Sequence, residues 1–388
     1  MTLLKDIVQI EKGRKYNLLE ENQEGAIRVF QANDFRNENK PLYTFDKDGV
    51  LAQEDDIMLV WDGSVGQMGF GRSGYVGSTM VKLKVKNKKQ FSPFFIYRFL
   101  QTKAEYLKRK ATGATIMHIN RKSLEQLEIP DLEIDDQLHI ANLLSKAENL
   151  IAQRKESIRL LDEFLKSTFL EMFGDPASNK HEWETLTIRE LSLRFSDGPF
   201  GSNLKTEHYS DSGIQVIRLQ NIGINEFVEK DITYVNTNHY ENVLKKYSCY
   251  PNDVVIATMG EPNIRACIVP KHVNVAVNKA DCVLFRVNPK LSNPYYISHL
   301  LNLEGFLFLA TSFIHGQTRA RISSGQIAKI SIPVPPLELQ TQFAQIVEKT
   351  EALKTQYQQS LQELENLYGS LSQKAFMGEL EIKKATAV

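Results

Sequence analysis

The sequence predicts an α+β protein of two tandem, pseudo-symmetric globular domains with mixed α/β structure, each followed by a long helix. The two helices are expected to pair as an antiparallel coiled coil. Three observations predict this architecture: an internal repeat, short β-branched and aromatic runs in each copy, and an apolar stripe of coiled-coil spacing at the end of each copy. The length of 388 residues is sufficient for two domains of ordinary size.

The internal repeat has a period of about 203 residues. Upstream, Ile-Arg-Val at 27–29 followed by Asn33 corresponds to Ile-Gln-Val at 214–216 followed by Asn221. Several such blocks occur in the same order in both copies, which indicates a duplication. Downstream, the pairs that match without a gap include Gly113 and Gly316, Ile119 and Ile322, Gln137 and Gln340, Ala141 and Ala344, and Leu161 and Leu364.

The first part of each copy has the composition of a sheet domain. Short runs rich in β-branched and aromatic residues are separated by Gly, Asn and Asp, which is typical of strands and turns. A short helix then begins at a proline, where the missing N–H costs nothing, at 93–100 and again at 294–301. The predicted strands are 27–31, 57–61, 80–85, 215–219, 254–257 and 282–287.

Each copy ends in a stretch where one apolar residue recurs at steps of three and four, the spacing of a coiled-coil seam. Polar residues within the seam (Arg154, Thr350 and Lys354) are typical of positions that fix register. Helices of this length span about 45–50 Å, which favours a paired spacer over an amphipathic cover on each domain. The predicted seam comprises Ile140, Leu144, Ala147, Ile151, Ile158, Leu161, Leu165, Phe343, Val347, Tyr357, Leu361, Leu364 and Tyr368.

Prolines and glycines set the expected boundaries, because proline cannot lie in a helix interior and glycine commonly follows a helix end. Pro130 and Pro333 precede the two long helices, and Gly174 and Gly378 follow them. The predicted segments are the first globular domain at 1–134, the first long helix at 135–174, a linker at 175–182, the second globular domain at 183–336, the second long helix at 337–377 and a tail at 378–388.

Composition excludes several classes of protein. Lys and Arg number 47, as do Asp and Glu, so the chain does not hold an acidic partner by bulk positive charge. The apolar fraction of 42% excludes a largely disordered chain. We expect a cytoplasmic protein with no membrane helix and no signal peptide. Its three cysteines lack metal-ligand spacing, so we expect reduced thiols and no metal site.

Motifs of catalysis are missing from the sequence, including phosphate-binding loops, dinucleotide fingerprints and hydrolase or metalloprotease signatures. Asn-Pro-Tyr-Tyr at 293–296 is similar to the Asn-Pro-Pro-Tyr loop of adenine methyltransferases. Its second proline is absent, and the equivalent in the other copy is Ser-Pro-Phe-Phe at 92–95, so a helix start is predicted instead. No catalytic residue is expected.

The binding signal lies in loops. Residues 71–130 hold 13 basic and three acidic side chains, whereas the long helices supply the compensating acidic residues. Arg, Lys, Asn and Gln are the side chains that contact phosphates and base edges in DNA. Such residues recur in loops at equivalent places of both copies, including 12–15, 31–33, 201–205, 218–221 and 316–321.

The chain resembles the specificity subunit of type I restriction–modification systems over essentially its whole length. The resemblance rests on Ile-Pro-Val-Pro-Pro-Leu-Glu-Leu-Gln at 332–340, Gly-Pro-Phe-Gly-Ser-Asn-Leu at 198–204, Thr-Gly-Ala-Thr-Ile-Met-His-Ile at 112–119 and Phe-Gly-Asp-Pro at 173–176. The first copy departs from the proline-rich pattern after Pro130, and the second copy lacks the Thr-Gly start of the loop at 315–318.

The resemblance implies that the globular copies are target recognition domains, each reading one half of a bipartite, asymmetric sequence in double-stranded DNA. The coiled coil would fix the gap between half-sites, two methyltransferase subunits would dock on the helices, and restriction subunits would join for cleavage. This chain would itself be non-catalytic within the restriction endonuclease and adenine-specific DNA methyltransferase complex. S-adenosylmethionine, ATP and Mg²⁺ are expected in the partner subunits and no cofactor in this chain.

Matching positions suggest the residues that contact DNA. Two other classes of function stay open: an enzyme, either a stand-alone adenine methyltransferase or a nuclease subunit, and a scaffold that binds no DNA. Binding of S-adenosylmethionine by the purified chain would indicate the enzyme, and failure of a methyltransferase to co-purify would indicate the scaffold. The predicted contacts are Arg14, Lys15, Asn33, Arg72 and His118 for the first half-site, and Asn203, Lys205, Arg218, Asn221, Arg265, Gln317, Arg319 and Arg321 for the second.

Overall fold

The computed structural model describes residues 1–36, 40–313 and 322–380. They form two units, of which the first comprises residues 1–155 and the chain from residue 359 onwards, and the second comprises residues 156–358. Each unit contains one globular domain and a part of each of two long helices. The unit boundary therefore lies within both helices rather than at the loops that precede them.

The first domain contains two four-stranded sheets and one short ribbon. Its strands are β1 (Thr2–Leu3), β2 (Val8–Lys12), β3 (Ile27–Phe30), β4 (Leu42–Thr44), β5 (Leu51–Ala52), β6 (Ile57–Val60), β7 (Met68–Gly69), β8 (Gly74–Val76), β9 (Met80–Val85) and β10 (Glu128–Ile129). Its helices are α1 (Leu4–Ile7), α2 (Pro93–Thr102), α3 (Ala104–Lys110) and α4 (Arg121–Glu125), with a 3-10 turn at Ala32–Phe35. One sheet, β2-β9-β6-β7, is antiparallel, whereas in the other, β4-β3-β8-β5, the central pair β3 and β8 is parallel.

The second domain repeats this plan. Its strands are β11 (Thr185–Thr187), β12 (Ser192–Asp197), β13 (Tyr209–Ser210), β14 (Ile214–Ile217), β15 (Thr233–Val235), β16 (Ser248–Cys249), β17 (Val254–Ala257), β18 (Arg265–Ile268), β19 (Ala276–Asn278), β20 (Cys282–Val287) and β21 (Ser331–Pro333). Its helices are α6 (Thr237–His239), α7 (Pro294–Leu301), α8 (Glu304–Thr311) and α9 (Ser324–Ile327). Short 3-10 or π turns lie at Gly201–Asn203, Thr206–His208, Leu219–Asn221, Tyr240–Leu244 and Lys245–Tyr247.

Sheet topology confirms the predicted duplication. The order β12-β20-β17-β18 corresponds strand by strand to β2-β9-β6-β7, and β15-β14-β19-β16 corresponds to β4-β3-β8-β5. The parallel central pair is also repeated, as β14 with β19. The second domain differs by the edge strand β13, which pairs with β15. The two copies therefore share a scaffold and differ at its edges and loops.

The short helices begin as the sequence predicts. Ser92 precedes α2, and its side chain accepts a hydrogen bond from the backbone N–H of Phe95. Asn293 precedes α7 and accepts one from Tyr295 in the same way, with Pro294 in the first turn. The resemblance of 293–296 to a methyltransferase loop thus reflects an N-cap followed by proline, a common way to start a helix.

The two long helices are α5 (Ile134–Phe173) and α10 (Leu337–Met377), and within each unit they run antiparallel. In the first unit, the Tyr368 hydroxyl donates to Glu148 at 2.6 Å and Lys155 pairs with Glu365 at 2.8 Å. Since the partner numbers fall along α10 as those along α5 rise, the helix directions are opposite.

In the second unit, α5 and α10 also run antiparallel. The Lys354 ammonium lies 2.6 Å from a carboxylate oxygen of Asp162, and the rings of Phe169 and Phe343 have centroids 5.3 Å apart. Lys354, which the sequence marked as a polar residue in the seam, is therefore neutralised by a partner on the facing helix. The predicted antiparallel pairing is confirmed within each unit.

The seam residues are most deeply buried where the long helices pack against the globular domains. The seam residues that are fully buried lie where a helix packs on a domain core: Ile140, Leu144, Ala147, Leu165, Phe343 and Val347. The others (Ile151, Ile158, Leu161, Tyr357, Leu361, Leu364 and Tyr368) are half-buried. The predicted seam omits Phe169, Phe173 and Phe376, which lie near the C-terminal ends of the long helices and pack into the domain cores.

Candidate nucleic-acid interface

In the first domain, three loops that follow strand ends are joined by backbone hydrogen bonds. The N–H of Arg14, just after β2, donates to the carbonyl of Val76 at 3.0 Å. The N–H of Gly77, just after β8, donates to the carbonyl of Phe30 at the end of β3, at 2.9 Å. Arg14, Lys15 and Asn33 therefore lie on adjacent loops, and all three are exposed.

His118 is attached to the same group of loops through Asp62. One carboxylate oxygen of Asp62 accepts a hydrogen bond from Nδ1 of His118 and the other accepts one from Nζ of Lys12, both at 2.7 Å. Burial would raise the pKa of Asp62, but these two hydrogen bonds outweigh burial and hold that pKa below its usual value. Lys12 belongs to the predicted basic loop at 12–15 but was not among the predicted contacts, and Asp62 was not predicted, because no local pattern links residues that are so far apart in the chain.

Arg72 and Asn33 are brought together by an aromatic ring. The Arg72 guanidinium lies 5.9 Å from the ring centroid of Phe35, and Phe35 ends the 3-10 turn that contains Asn33. Asp34, in the same turn, accepts a hydrogen bond from the backbone N–H of Gln31 at 2.7 Å. The five residues predicted for the first half-site thus lie on loops that contact one another or share a partner.

In the second domain, two histidines hold the loop that carries Asn203 and Lys205. Nε2 of His239 donates to the carbonyl of Asn203 at 2.8 Å, and Nδ1 of His208 accepts the backbone N–H of Lys205 at 3.0 Å. The two imidazole rings stack with centroids 3.8 Å apart. The Lys205 side chain remains exposed, whereas Asn203 is half-buried.

Asn221 is used within the protein. It is fully buried, its side-chain oxygen accepts the N–H of Arg218 at 3.0 Å, and its nitrogen donates to the carbonyls of Val228 and Lys230, each at 3.0 Å. This is the role of Asp34 in the first domain. The alignment of Asn33 with Asn221 was therefore wrong by one position, and the exposed Gln220 is the equivalent of Asn33.

Arg265 also acts within the protein. Its guanidinium donates to four backbone carbonyls on two loops, those of Leu219, Ile222, Met259 and Pro262, at 2.6–3.4 Å. Arginine can donate five hydrogen bonds, so almost all of its capacity is used. Direct DNA contact by Arg265 stays a prediction, and this geometry favours a loop-positioning role instead.

Of the remaining predicted residues, one lies within the described part of the chain. Arg218 is half-buried and its guanidinium contacts the carbonyl of Asp231. Gln317, Arg319 and Arg321 lie outside the described residues. Within the described ranges, no group of His, Cys, Asp and Glu is arranged to hold a metal ion. No helix in that part of the chain combines the length and the apolar character needed to cross a membrane.

A family model described as the type I restriction modification DNA specificity domain matches residues 2–160 and 182–366. The chain belongs to this family. The two matched segments correspond to the two copies of the repeat, each with its globular domain and most of its long helix. The resemblance expected from the sequence is confirmed.

One relative of this chain is the type I restriction enzyme MjaVIII specificity subunit of Methanocaldococcus jannaschii. It is 23% identical over 351 residues, which cover 86% of this chain and 81% of the relative. The function predicted at the subunit level, a type I specificity subunit, is therefore supported over both copies, and the enzyme alternative is not favoured.

Two solved structures share the fold. The type I system S subunit from M. genitalium has a TM-score of 0.58 and 19% identity, covering 98% of this chain and 96% of that one. A chain from a study of complex assembly and conformational transition of the type I R-M system also has a TM-score of 0.58, with 14% identity and coverage of 98% and 97%.

Proposed function

We propose that this specificity subunit reads a bipartite, asymmetric DNA target, with one globular domain for each half-site. The observation that carries the proposal is that two domains of one topology present different side chains at equivalent places. Arg14 and Lys15 follow β2 in the first domain, whereas Pro199 and Phe200 stand at the corresponding place after β12. Two domains with the same strand topology but different loop side chains are suited to recognising two different half-site sequences.

The reaction would belong to partner subunits. Two methyltransferase subunits would dock on the paired helices, and restriction subunits would join for cleavage, in the cytoplasm where the DNA is. Exposed apolar side chains along the two helices support such docking, because a solvated coiled coil is expected to carry polar residues there. Among these side chains are Leu150, Leu160, Phe164 and Leu367.

The cofactors of the reaction would also belong to the partner subunits. S-adenosylmethionine, ATP and Mg²⁺ would bind to the methyltransferase and restriction subunits, and this chain would contribute sequence recognition alone. Its zero formal charge predicts that the partners supply much of the phosphate contact. We expect weak DNA binding by the isolated chain and much tighter binding after a methyltransferase subunit is added.

The test maps modified adenines in cells that contain the gene and in cells that lack it, with the methyltransferase gene kept in both. Loss of modification at a bipartite motif on deletion supports the proposal. Modification that persists, or S-adenosylmethionine binding and DNA methylation by the purified chain alone, contradicts it. Gel shifts with and without the methyltransferase subunit check the division of DNA affinity.

A further inference from the structure

A loop of the first domain presents two apolar side chains to solvent. Ile116 is 54% exposed and Met117 is 40% exposed, whereas Ile119, two residues further on, is 4% exposed. Single exposed apolar residues are normal at protein surfaces, but two consecutive ones at the tip of an ordered loop raise the question of what covers them.

The loop is held in one conformation. Thr112 and His118 pair through two backbone hydrogen bonds of 2.9 and 2.7 Å, and the N–H of Gly63 donates to the carbonyl of Met117 at 2.8 Å. Gly113 has φ of +123°, and a Cβ there would lie 2.1 Å from the carbonyl oxygen of Ile116. The apolar tip is therefore pre-organised, which lowers the entropic cost of burying it against a partner.

Charge around the tip indicates the chemistry of that partner. His118 is fixed by Asp62 beside Lys12, and α3 ends directly before the loop with Lys108, Arg109 and Lys110 in its last turn. Residues 71–130 carry 13 basic against three acidic side chains. An apolar tip within a basic surface suits DNA, whose phosphates pair with the cations while its stacked bases accept an apolar group.

We propose that Ile116 and Met117 form a wedge that inserts between base pairs of the first half-site and unstacks one step. The inference rests on the proposed function, and it adds a contact to the base stack that no hydrogen-bonding side chain supplies. Isoleucine and methionine are among the side chains that proteins insert in this way, and the insertion bends the duplex. Unstacking favours flexible pyrimidine–purine steps, so the wedge contributes to sequence selection without reading a base edge.

The test uses the complex of this chain with its methyltransferase subunit and a duplex that contains the modified motif. 2-Aminopurine is placed in turn at each purine of the first half-site other than the methylated adenine, without the methyl donor. We expect fluorescence to rise at one position on binding. The double variant Ile116→Ala, Met117→Ala should abolish the rise and weaken binding about tenfold, or about 1.4 kcal/mol.

Salt dependence separates a wedge from a phosphate contact. The slope of log affinity against log salt should be unchanged in the double variant, because no charge is removed, whereas Arg14→Ala should reduce the slope by about one unit if it contacts a phosphate. Leu18→Ala, an exposed apolar residue elsewhere in the same domain, is the matched control and should change neither affinity nor fluorescence.

The outcomes are distinguishable. If the wild-type complex does not bind the motif specifically, the proposed function itself fails. If it binds specifically but no position brightens, or the double variant brightens equally, the wedge is wrong and the function stands. If the double variant no longer co-purifies with the methyltransferase while its thermal unfolding midpoint is unchanged, the tip is a protein contact and the wedge is again wrong.

Discussion

Gln137 and Gln340 occupy equivalent positions in the first turns of the two long helices and make equivalent hydrogen bonds. The side-chain oxygen of Gln137 accepts the backbone N–H of Ser92 at 2.9 Å, and that of Gln340 accepts the N–H of Asn293 at 2.8 Å. Ser92 and Asn293 are the N-cap residues of α2 and α7. In each domain one buried glutamine therefore joins the start of a short helix to the start of a long one.

Replacement of Gln340 by alanine should lower the free energy of unfolding by about 3 kcal/mol, because buried donors and acceptors lose their partners. The groups left behind include the N–H of Asn293 and the carbonyl of Pro335, which now accepts from Gln340 at 2.7 Å. Urea denaturation measures the effect. Gln342→Ala, at an exposed position of the same helix, should stay within about 0.5 kcal/mol of wild type. Equal losses of stability in the two variants would contradict a stabilising role for the Gln340 hydrogen bonds.

The two phenylalanines Phe343 and Phe164 should behave differently on replacement by alanine. Phe343 is fully buried against the rings of Phe169 and Phe173, so its loss should cost about 3–5 kcal/mol of stability. Phe164 is 49% exposed, so its loss should leave stability nearly unchanged but weaken co-purification with a methyltransferase subunit. Denaturation and affinity purification check the two effects, and unchanged co-purification would remove Phe164 from the docking surface.

Asn221 and its neighbour Gln220 separate a structural amide from an exposed one. Asn221→Ala should destabilise the protein by about 1–3 kcal/mol, because the carbonyls of Val228 and Lys230 lose their donor. Gln220→Ala should leave stability unchanged and alter the modified motif in one half only. Thermal unfolding and mapping of methylated adenines measure the two changes. An unaltered motif in the Gln220 variant would reject its role in recognition.

Arg265→Lys should relax sequence recognition in the second half-site while the first half stays intact. The charge is retained, but a single ammonium group cannot hold the four carbonyls that the guanidinium now joins. We expect the ratio of methylation at cognate and single-mismatch second half-sites to fall about tenfold. The control Arg159→Lys changes an exposed arginine on α5 and should keep the ratio. A ratio unchanged in both variants would argue against loop positioning by Arg265.

His299 should make the protein sensitive to acid. Burial, together with the nearby Lys354 ammonium, lowers its pKa to about 3, so the folded state keeps the imidazole neutral. Below pH 6.5 the unfolded state binds the proton and the folded state does not, so stability falls as the pH falls, by up to about 2 kcal/mol at pH 5. Urea denaturation at pH 7 and pH 5 should show a smaller loss in His299→Gln than in wild type. His139→Gln, at an exposed position of α5, should keep the wild-type loss; an unchanged loss in the His299 variant would contradict this origin.

Several elements could be predicted because their signals are local. The helix α7 has the predicted bounds, and α5 begins and ends one residue before the predicted range. Proline at a first turn, glycine after a helix end and apolar residues at steps of three and four each act through the backbone of their own segment. Such signals do not require knowledge of what the segment packs against.

The candidate interface was less predictable, because composition does not reveal which polar groups the protein itself uses. Arg265 and Asn221 have the residue types expected for reading DNA, yet their hydrogen bonds go to backbone carbonyls of the same domain. Conversely Asp62, an acidic residue that no DNA-binding pattern would select, fixes His118 and Lys12 on the candidate surface.

The sequence alone determined that this chain is duplicated and that each copy ends in a long helix, since the order of the repeat and the helical periodicity are local patterns in the chain. Its resemblance to specificity subunits rested on separate motifs, such as those at 198–204 and 332–340. Only the tertiary structure decided which of the candidate side chains are hydrogen-bonded within the protein itself. That choice depends on hydrogen bonds between residues distant in sequence, such as His118 with Asp62 and Arg265 with Leu219, and those pairings exist only once the sheets have formed.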